Sequence, residues 1–162
     1  MTLDLRPFTG ADAALLKTWV DTPAALRLWC GDAFRWPLDE EQLAAYLAET
    51  RTPARGSWTA WDGRGRAVGH VSLQLDLPAR SGRLGRVLIA PHARRRGLAV
   101  QMLRQVLEAA AADMTLRRVE LGVYSDNVAA VRLYERLGFV ADDGPGAQEQ
   151  PRVVRMTRDL QR

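Results

Sequence analysis

Cysteine and lysine are almost absent from this chain of 162 residues, which contains only Cys30 and Lys17. One cysteine excludes an internal disulfide bond, and this low usage favours a reducing, cytoplasmic location. The sequence has no run of about eighteen apolar residues and no N-terminal segment in which positive charge precedes an apolar stretch. It therefore predicts neither a membrane span nor a secretory signal.

Basic residues outnumber acidic residues by 23 to 19, which gives a net charge of +4 at pH 7. They are almost all arginines and are scattered along the chain. Because a polyanion footprint needs clustered positive charge, the composition favours no nucleic-acid partner. The length predicts one domain, 1–162, whose single core buries about two-thirds of the unfolded surface.

Apolar residues alternate in some segments and recur at helical spacing in others, which predicts both strands and helices. Strands are predicted at 3–6, 57–61, 67–77, 82–89, 118–124 and 139–141 and from 152, with a hairpin turn at 62–65 and a loop at 142–150. Helices are predicted after Thr9, after Pro37, after Gly97 and over 128–137. This order predicts a mixed α/β fold, antiparallel first and with crossover helices later.

The most informative stretch is 87–99, V-L-I-A-P-H-A-R-R-R-G-L-A, in which an apolar strand leads through an arginine-rich turn into a helix. The helix is indicated by one apolar face, made of Ala99, Met102, Leu103, Val106, Leu107 and Ala110. A helix N-terminus presents unpaired N–H groups and the positive end of the helix dipole, so it can hold a phosphate. The turn matches neither a Walker loop nor a Rossmann turn, which leaves a pyrophosphate ligand held in another way.

Two motifs carry a resemblance to a known family. Residues 94–99, R-R-R-G-L-A, are similar to the Gln/Arg-x-x-Gly-x-Gly/Ala signature of the GNAT superfamily of acyl-CoA-dependent N-acetyltransferases. Downstream, L-G-V-Y-S-D-N at 121–127, Ala130, L-Y-E at 133–135 and L-G-F at 137–139 resemble the family's second pattern. The resemblance implies a GNAT-like acyl-CoA N-acyltransferase fold, with a central mixed sheet splayed at the cofactor cleft and flanked by helices.

The same resemblance implies the residues that bind acetyl-CoA. The strands that end at Ile89 and Tyr124 would splay apart, and the first would pair with the pantetheine arm as an added strand does. Backbone amides of 95–100 would hold the pyrophosphate, with arginine side chains adding charge-assisted bonds. The implied set is Val87, Leu88, Ile89, Arg94, Arg95, Arg96, Gly97, Leu98, Ala99, Val100 and Asn127.

Tyr134 occupies the family's position for the general acid, which protonates the departing thiolate. A phenol of ordinary pKa, near 10, is protonated at neutral pH and can donate without tuning. The alternative is that Tyr134 only packs, because Ala130, Leu133 and Leu137 share its helical face. Asn127 likewise has an alternative role as a helix N-cap, which is compatible with a cofactor contact.

The general base is where this chain departs from the family pattern. Many relatives carry a Glu where this chain has Arg83, and others carry a Glu where it has Gly122. His70 and Glu120 are the nearest alternatives on strands that approach the gap, and His70 is attractive because an imidazole titrates near neutral pH. A structural role for either residue, a water relay and a substrate that arrives as a free amine stay open.

The family usually builds its acceptor wall in the segment that corresponds to 28–37. Here Trp29, Phe34 and Trp36 could line a pocket for an amine, or they could tuck the loop onto the core. Cys30 has no local histidine and is interpreted as an ordinary thiol. The acidic residues of 142–144 could neutralise a cationic substrate or belong to a plain loop.

The expected function is an acetyl-CoA-dependent N-acetyltransferase without a metal. It moves an acetyl group to a primary amine of a small molecule, or to a protein N-terminus or side chain, by direct transfer in a ternary complex. The expected partners are acetyl-CoA and the amine, with no nucleic acid or membrane, and the chain could be a homodimer. The alternative is a non-catalytic acyl-CoA-binding sensor or interaction module on the same fold, since both usual acids are missing.

Overall fold

One seven-stranded mixed sheet, in the order β1-β2-β3-β4-β5-β7-β6, organises the chain. The computed structural model describes residues 2–142 and 153–160. The strands are β1 (Asp4–Pro7), β2 (Arg55–Trp61), β3 (Ala67–Asp76), β4 (Ser81–Ile89), β5 (Arg118–Tyr124), β6 (Val140–Ala141) and β7 (Val153–Asp159). The helices are α1 (Gly10–Trp19), α2 (Pro23–Cys30), α3 (Glu40–Thr50), α4 (Leu98–Ala112) and α5 (Val128–Arg136). Of the predicted loop and closing strand, 143–152 lies outside the described residues.

The strand pairing confirms the predicted mixed fold. Strands β1 to β4 pair antiparallel with their neighbours, whereas β4 and β5 are parallel. A parallel pair needs a crossover connection, which α4 provides here. Strand β7 then pairs antiparallel with both β5 and β6. No helix in 2–142 or 153–160 has the length and apolar character to cross a bilayer.

Local capping explains where the helices begin. Thr9 and Asp12 form a capping box at the start of α1, and Asp39 accepts a hydrogen bond from the Gln42 amide at the start of α3. The Thr22 side chain caps α2, with a proline at its first position. The sequence prediction did not include α2, which fills part of the connection expected between the first two helices.

Strand β3 lies at the centre of the core. Its first seven residues, from Ala67 to Leu73, are all buried, so both faces of the strand are covered. A Cβ added at Gly69 would meet Met102 of α4, whereas His70 bonds to Tyr46 of α3. Because neighbouring residues of a strand face opposite sides, α3 and α4 cover opposite faces of the sheet.

Strands β4 and β5 separate soon after they begin. Their pairing joins only 81–83 to 118–120, although β4 continues to Ile89 and β5 to Tyr124. Strand β4 also bulges, since Arg86 and Val87 together oppose the single residue Val71 of β3. Arg86 has the left-handed φ of 50° that accompanies this bulge. The predicted splay of the central sheet is therefore confirmed.

Candidate active site

The gap between β4 and β5 opens into a cleft of about 790 Å³. Its walls come from the two separated strands, the C-terminal end of α2, the N-terminal end of α4 and one face of α5. Within the described residues, the predicted site residues that line it are Trp29, Val87, Ile89, Arg94, Arg95, Gly97, Leu98, Ala99, Val100, Asn127 and Tyr134. Residues far apart in sequence thus meet in one cavity large enough for an extended cofactor.

One end of the cleft is the N-terminus of α4. Gly97 precedes the helix with a φ of 71° and provides no side-chain cap, so the first-turn amides face the cleft without one. Arg94 donates from Nε to the Ile89 carbonyl at 3.3 Å, which ties the turn to the end of β4. Arg96 is exposed and does not line the cleft. Uncapped amides and two lining arginines fit a pyrophosphate.

The middle of the cleft is the open edge of β4. Among the residues that the structure describes, this strand has no neighbour on its β5 side beyond Arg83, so its backbone groups are available to an extended ligand. Val87 and Ile89 line the cleft, whereas the Leu88 side chain is 8% exposed and packs in the core. The open edge and the adjacent helix terminus together fit the pantetheine arm and the pyrophosphate of acetyl-CoA.

Tyr134 reaches the cleft from α5. Its ring packs against Phe139 at a centroid distance of 5.9 Å, and burial raises the pKa of its hydroxyl to about 12. Tyr134 therefore both packs and lines the cleft, and it stays protonated at neutral pH.

Asn127 caps α5 by accepting a hydrogen bond from the Ala130 amide at 3.3 Å, and it also lines the cleft.

His70 lies in the core and is not brought to the cleft. It is 1% exposed, and its Nε2 is 2.7 Å from the Tyr46 hydroxyl. Burial, with a smaller contribution from the charge of Arg86, lowers the pKa of His70 to about 3. An imidazole with this pKa is neutral at working pH and is a weak base, so the geometry supports a structural role.

The buried His70 predicts a pH-dependent stability. Because the folded-state pKa lies below the unfolded value near 6.5, only the unfolded chain gains the proton as pH falls. The free energy of unfolding should be full above about pH 6.5 and should fall towards pH 3 by up to about 1.4 kcal/mol per pH unit. Urea unfolding from pH 7 to 4.5 measures this slope, which should be shallower in His70→Gln and unchanged in the exposed control His92→Gln. Equal slopes in wild type and His70→Gln would contradict the assignment.

Glu120 lies at the closed end of the gap, outside the cleft lining. Its carboxylate accepts a hydrogen bond from Arg155 at 2.8 Å and lies 3.8 Å from the Arg83 guanidinium. Two cations thus hold the carboxylate on the sheet. A Cβ added at Gly122, the other position where relatives carry a Glu, would lie 3.1 Å from Val153 and 3.6 Å from Arg83.

The three residues of the predicted acceptor wall lie in different environments. Trp29 lines the cleft, while Phe34 stacks on it at 5.7 Å and contacts Tyr46 edge-on at 5.6 Å. Trp36 is 44% exposed and does not line the cleft. Phe34 therefore supports Trp29 from behind, as the packing alternative predicts.

Arg86 and Tyr124 are among the lining residues that the sequence reasoning did not select. Tyr124 ends β5 on the same strand face as Gly122, and alternation along the strand could have identified it. Arg86 lies at the bulge of β4, which depends on pairing with β3 and has no local sequence signal.

The fold and the cleft define an acyl-CoA-dependent acyltransferase. The chain belongs to the GNAT acetyltransferase family, whose model matches residues 23–139. Its fold is similar to that of a spermidine N-acetyltransferase from Vibrio cholerae in complex with CoA and spermine, at a TM-score of 0.82 and 22% identity, covering 98% of this chain and 96% of that one. A chimera of the Vibrio cholerae enzyme SpeG and hSSAT matches at a TM-score of 0.81 and 23% identity, covering 99% and 96%. The chain is accordingly an N-acetyltransferase that uses acetyl-CoA as its donor and an amine as its acceptor.

Proposed function

We propose that the enzyme transfers the acetyl group directly to a primary amine while donor and acceptor are both bound. The observation that carries the proposal is a single cleft that joins the open edge of β4, the uncapped start of α4 and the Tyr134 side chain. Bound acetyl-CoA supplies the activated thioester. The amides of α4 would hold the pyrophosphate of the donor, and the edge of β4 would hold its pantetheine arm.

Tyr134 serves as the general acid in this proposal. Direct transfer needs a neutral amine, a polarised carbonyl and a proton for the departing sulfur. The Tyr134 hydroxyl makes no hydrogen bond with the described residues, and its raised pKa keeps it protonated at neutral pH. Its proton then moves from Oη to the departing sulfur, while the attacking nitrogen loses its extra proton to water and water reprotonates the tyrosinate.

No strong general base is required of the protein. His70 is buried with a pKa of about 3, Glu120 is paired with arginines, and Asp32 is the sole acid among the described residues that line the cleft. The acceptor therefore enters as the free amine or loses its proton to water. The activity should rise with pH as the free-amine fraction of the acceptor rises.

Release of the CoA thiol in the presence of primary amines tests the proposal. An enzyme gives amine-dependent thiol release, whereas the alternative sensor binds acetyl-CoA, raising its melting temperature, without turnover. Amine-independent or absent release across small amines and peptide N-termini would overturn the proposal.

The cytoplasmic location and the homodimer stay predictions from the sequence.

Cys30 is the one thiol in the described cleft lining, and a thiol could support a two-step route through an acetylated enzyme. It lines the cleft, but burial raises the pKa of its thiol, and its Sγ donates to the Leu26 carbonyl at 3.2 Å. A thiol held in the protonated form is a poor nucleophile. Cys30→Ala should therefore keep kcat within about twofold. The substitution leaves the general acid in place, and the contribution of that acid to the rate is much larger than twofold. Steady-state rates measure the change, and a loss of a hundredfold or more with a detectable acetyl-Cys30 in wild type would contradict direct transfer.

A further inference from the structure

We infer that the amine acceptor also carries a carboxylate, which the guanidinium of Arg86 binds in the cleft. The inference rests on the proposed function and names the substrate class of the same site: a small primary amine bearing an acid group, as in an amino acid.

Arg86 is placed on the acceptor side of the cleft. It lines the cleft at the bulge of β4, and its guanidinium lies over the rings of Tyr46 and Phe34 at 4.9 and 5.3 Å. The bulge lies three residues before the end of β4, which is about 10 Å of strand from the turn that leads to α4. Arg94 and Arg95 are therefore the arginines near the pyrophosphate, and Arg86 can bind a different anion.

Within the described part of the chain, Arg86 has two cation–π contacts but no anionic partner. No carboxylate there forms an ion pair with it, and its Nε is buried without a hydrogen-bond partner. The Nε1 of Trp29, in the same cleft, is a second buried donor without a partner. A partly buried guanidinium is costly to leave unpaired, and its planar fork matches a carboxylate. Both donors belong to side chains that line the cleft, and this pair of unsatisfied donors points to an acceptor that carries an oxygen anion.

The same arrangement disfavours a polycation. Faces of Phe34 and Tyr46, which could hold an ammonium group by cation–π contact, already hold Arg86. The described lining contains five arginines, at 83, 86, 94, 95 and 136, against the single acid Asp32. A polyamine would meet the like charge of Arg86 on this side of the cleft, whereas an amino acid would place one negative charge beside Arg86.

The experiment compares each standard amino acid with its own carboxamide, and includes spermidine. Thiol release gives kcat/KM, and calorimetry gives binding to the CoA complex without requiring turnover. We expect at least one amino acid to be preferred over its amide by about tenfold or more, as charge-assisted hydrogen bonds allow. The amide has the less basic amine and so more free amine at pH 8, so this preference cannot arise from amine basicity.

Arg86→Gln should remove the preference mainly through KM, and Arg86→Lys should keep part of it. Arg64→Gln, which makes the same charge change in the β2–β3 turn, should behave as wild type. Melting temperature with and without acetyl-CoA confirms that each variant folds and binds the donor.

Each outcome decides the inference. Turnover of amides or spermidine without a carboxylate preference in rate or binding overturns the inference and leaves the proposed function intact. A preference that persists in Arg86→Gln also overturns it. Absent thiol release with every amine overturns the proposed function, and carboxylate-selective binding to the CoA complex, lost in Arg86→Gln, then still supports the role of Arg86.

Discussion

Replacing Tyr134 by phenylalanine should lower kcat by about 100- to 10,000-fold, the range that general-acid catalysis supplies. The ring contact with Phe139 is kept by the substitution, so the fold and the cleft should persist. Only the hydroxyl is lost, and the acetyl-CoA affinity should change little. Rapid thiol release at saturating donor measures kcat, and calorimetry with CoA measures the affinity.

The comparison variant is Tyr124→Phe, which makes the same change at the other tyrosine lining the cleft. If Tyr124→Phe gave the large loss and Tyr134→Phe gave none, the assignment of the acid would be wrong. The pH profile offers a second readout. Because the pKa of Tyr134 is raised to about 12, the proton is retained up to that pH, and wild-type kcat should show no alkaline decline between pH 7 and 10.

Placing a carboxylate at the start of α4 should abolish useful donor binding. Ala99 is the second residue of α4 and lines the cleft. In Ala99→Glu the helix dipole stabilises the new negative charge, so the fold should be kept. The same charge repels the pyrophosphate that the first-turn amides would bind. A repulsion of about 3 kcal/mol at short range and intermediate dielectric weakens acetyl-CoA binding about 100-fold.

Thermal unfolding measures this effect. A ligand that binds only the folded chain stabilises it by RT ln(1 + L/Kd), where L is the free ligand concentration. A weaker affinity therefore gives a smaller stabilisation at the same ligand concentration. The stabilisation that acetyl-CoA is expected to give the wild type should almost vanish in Ala99→Glu at the same concentration. Ala24→Glu is the matched control, because it makes the same change at the exposed second residue of α2, outside the cleft. Equal stabilisation of both variants by acetyl-CoA would place the pyrophosphate elsewhere.

Local sequence signals predicted most of the fold. The β2–β3 hairpin, the amphipathic face of α4 and the cap of α5 by Asn127 all depend on neighbouring residues. Helix α2 was not predicted, although Thr22 and Pro23 are a standard helix start. The gap between two parallel strands followed from the family resemblance and is confirmed.

The chemistry that was harder to predict depends on contacts across the sheet. His70 alternates correctly along β3, but its burial is set by Tyr46 on another element. Leu88 turns into the core, and Arg86 turns into the cleft, because a bulge interrupts the alternation of β4. Such features come from the pairing of distant segments, which no local spacing encodes.

The central claim is direct acetyl transfer within one cleft, and initial rates test it most directly. Thiol release is measured over a matrix of acetyl-CoA and amine concentrations. The account predicts amine-dependent release with intersecting double-reciprocal lines, as both substrates must be bound before the transfer. Parallel lines, or no amine-dependent release, would contradict it.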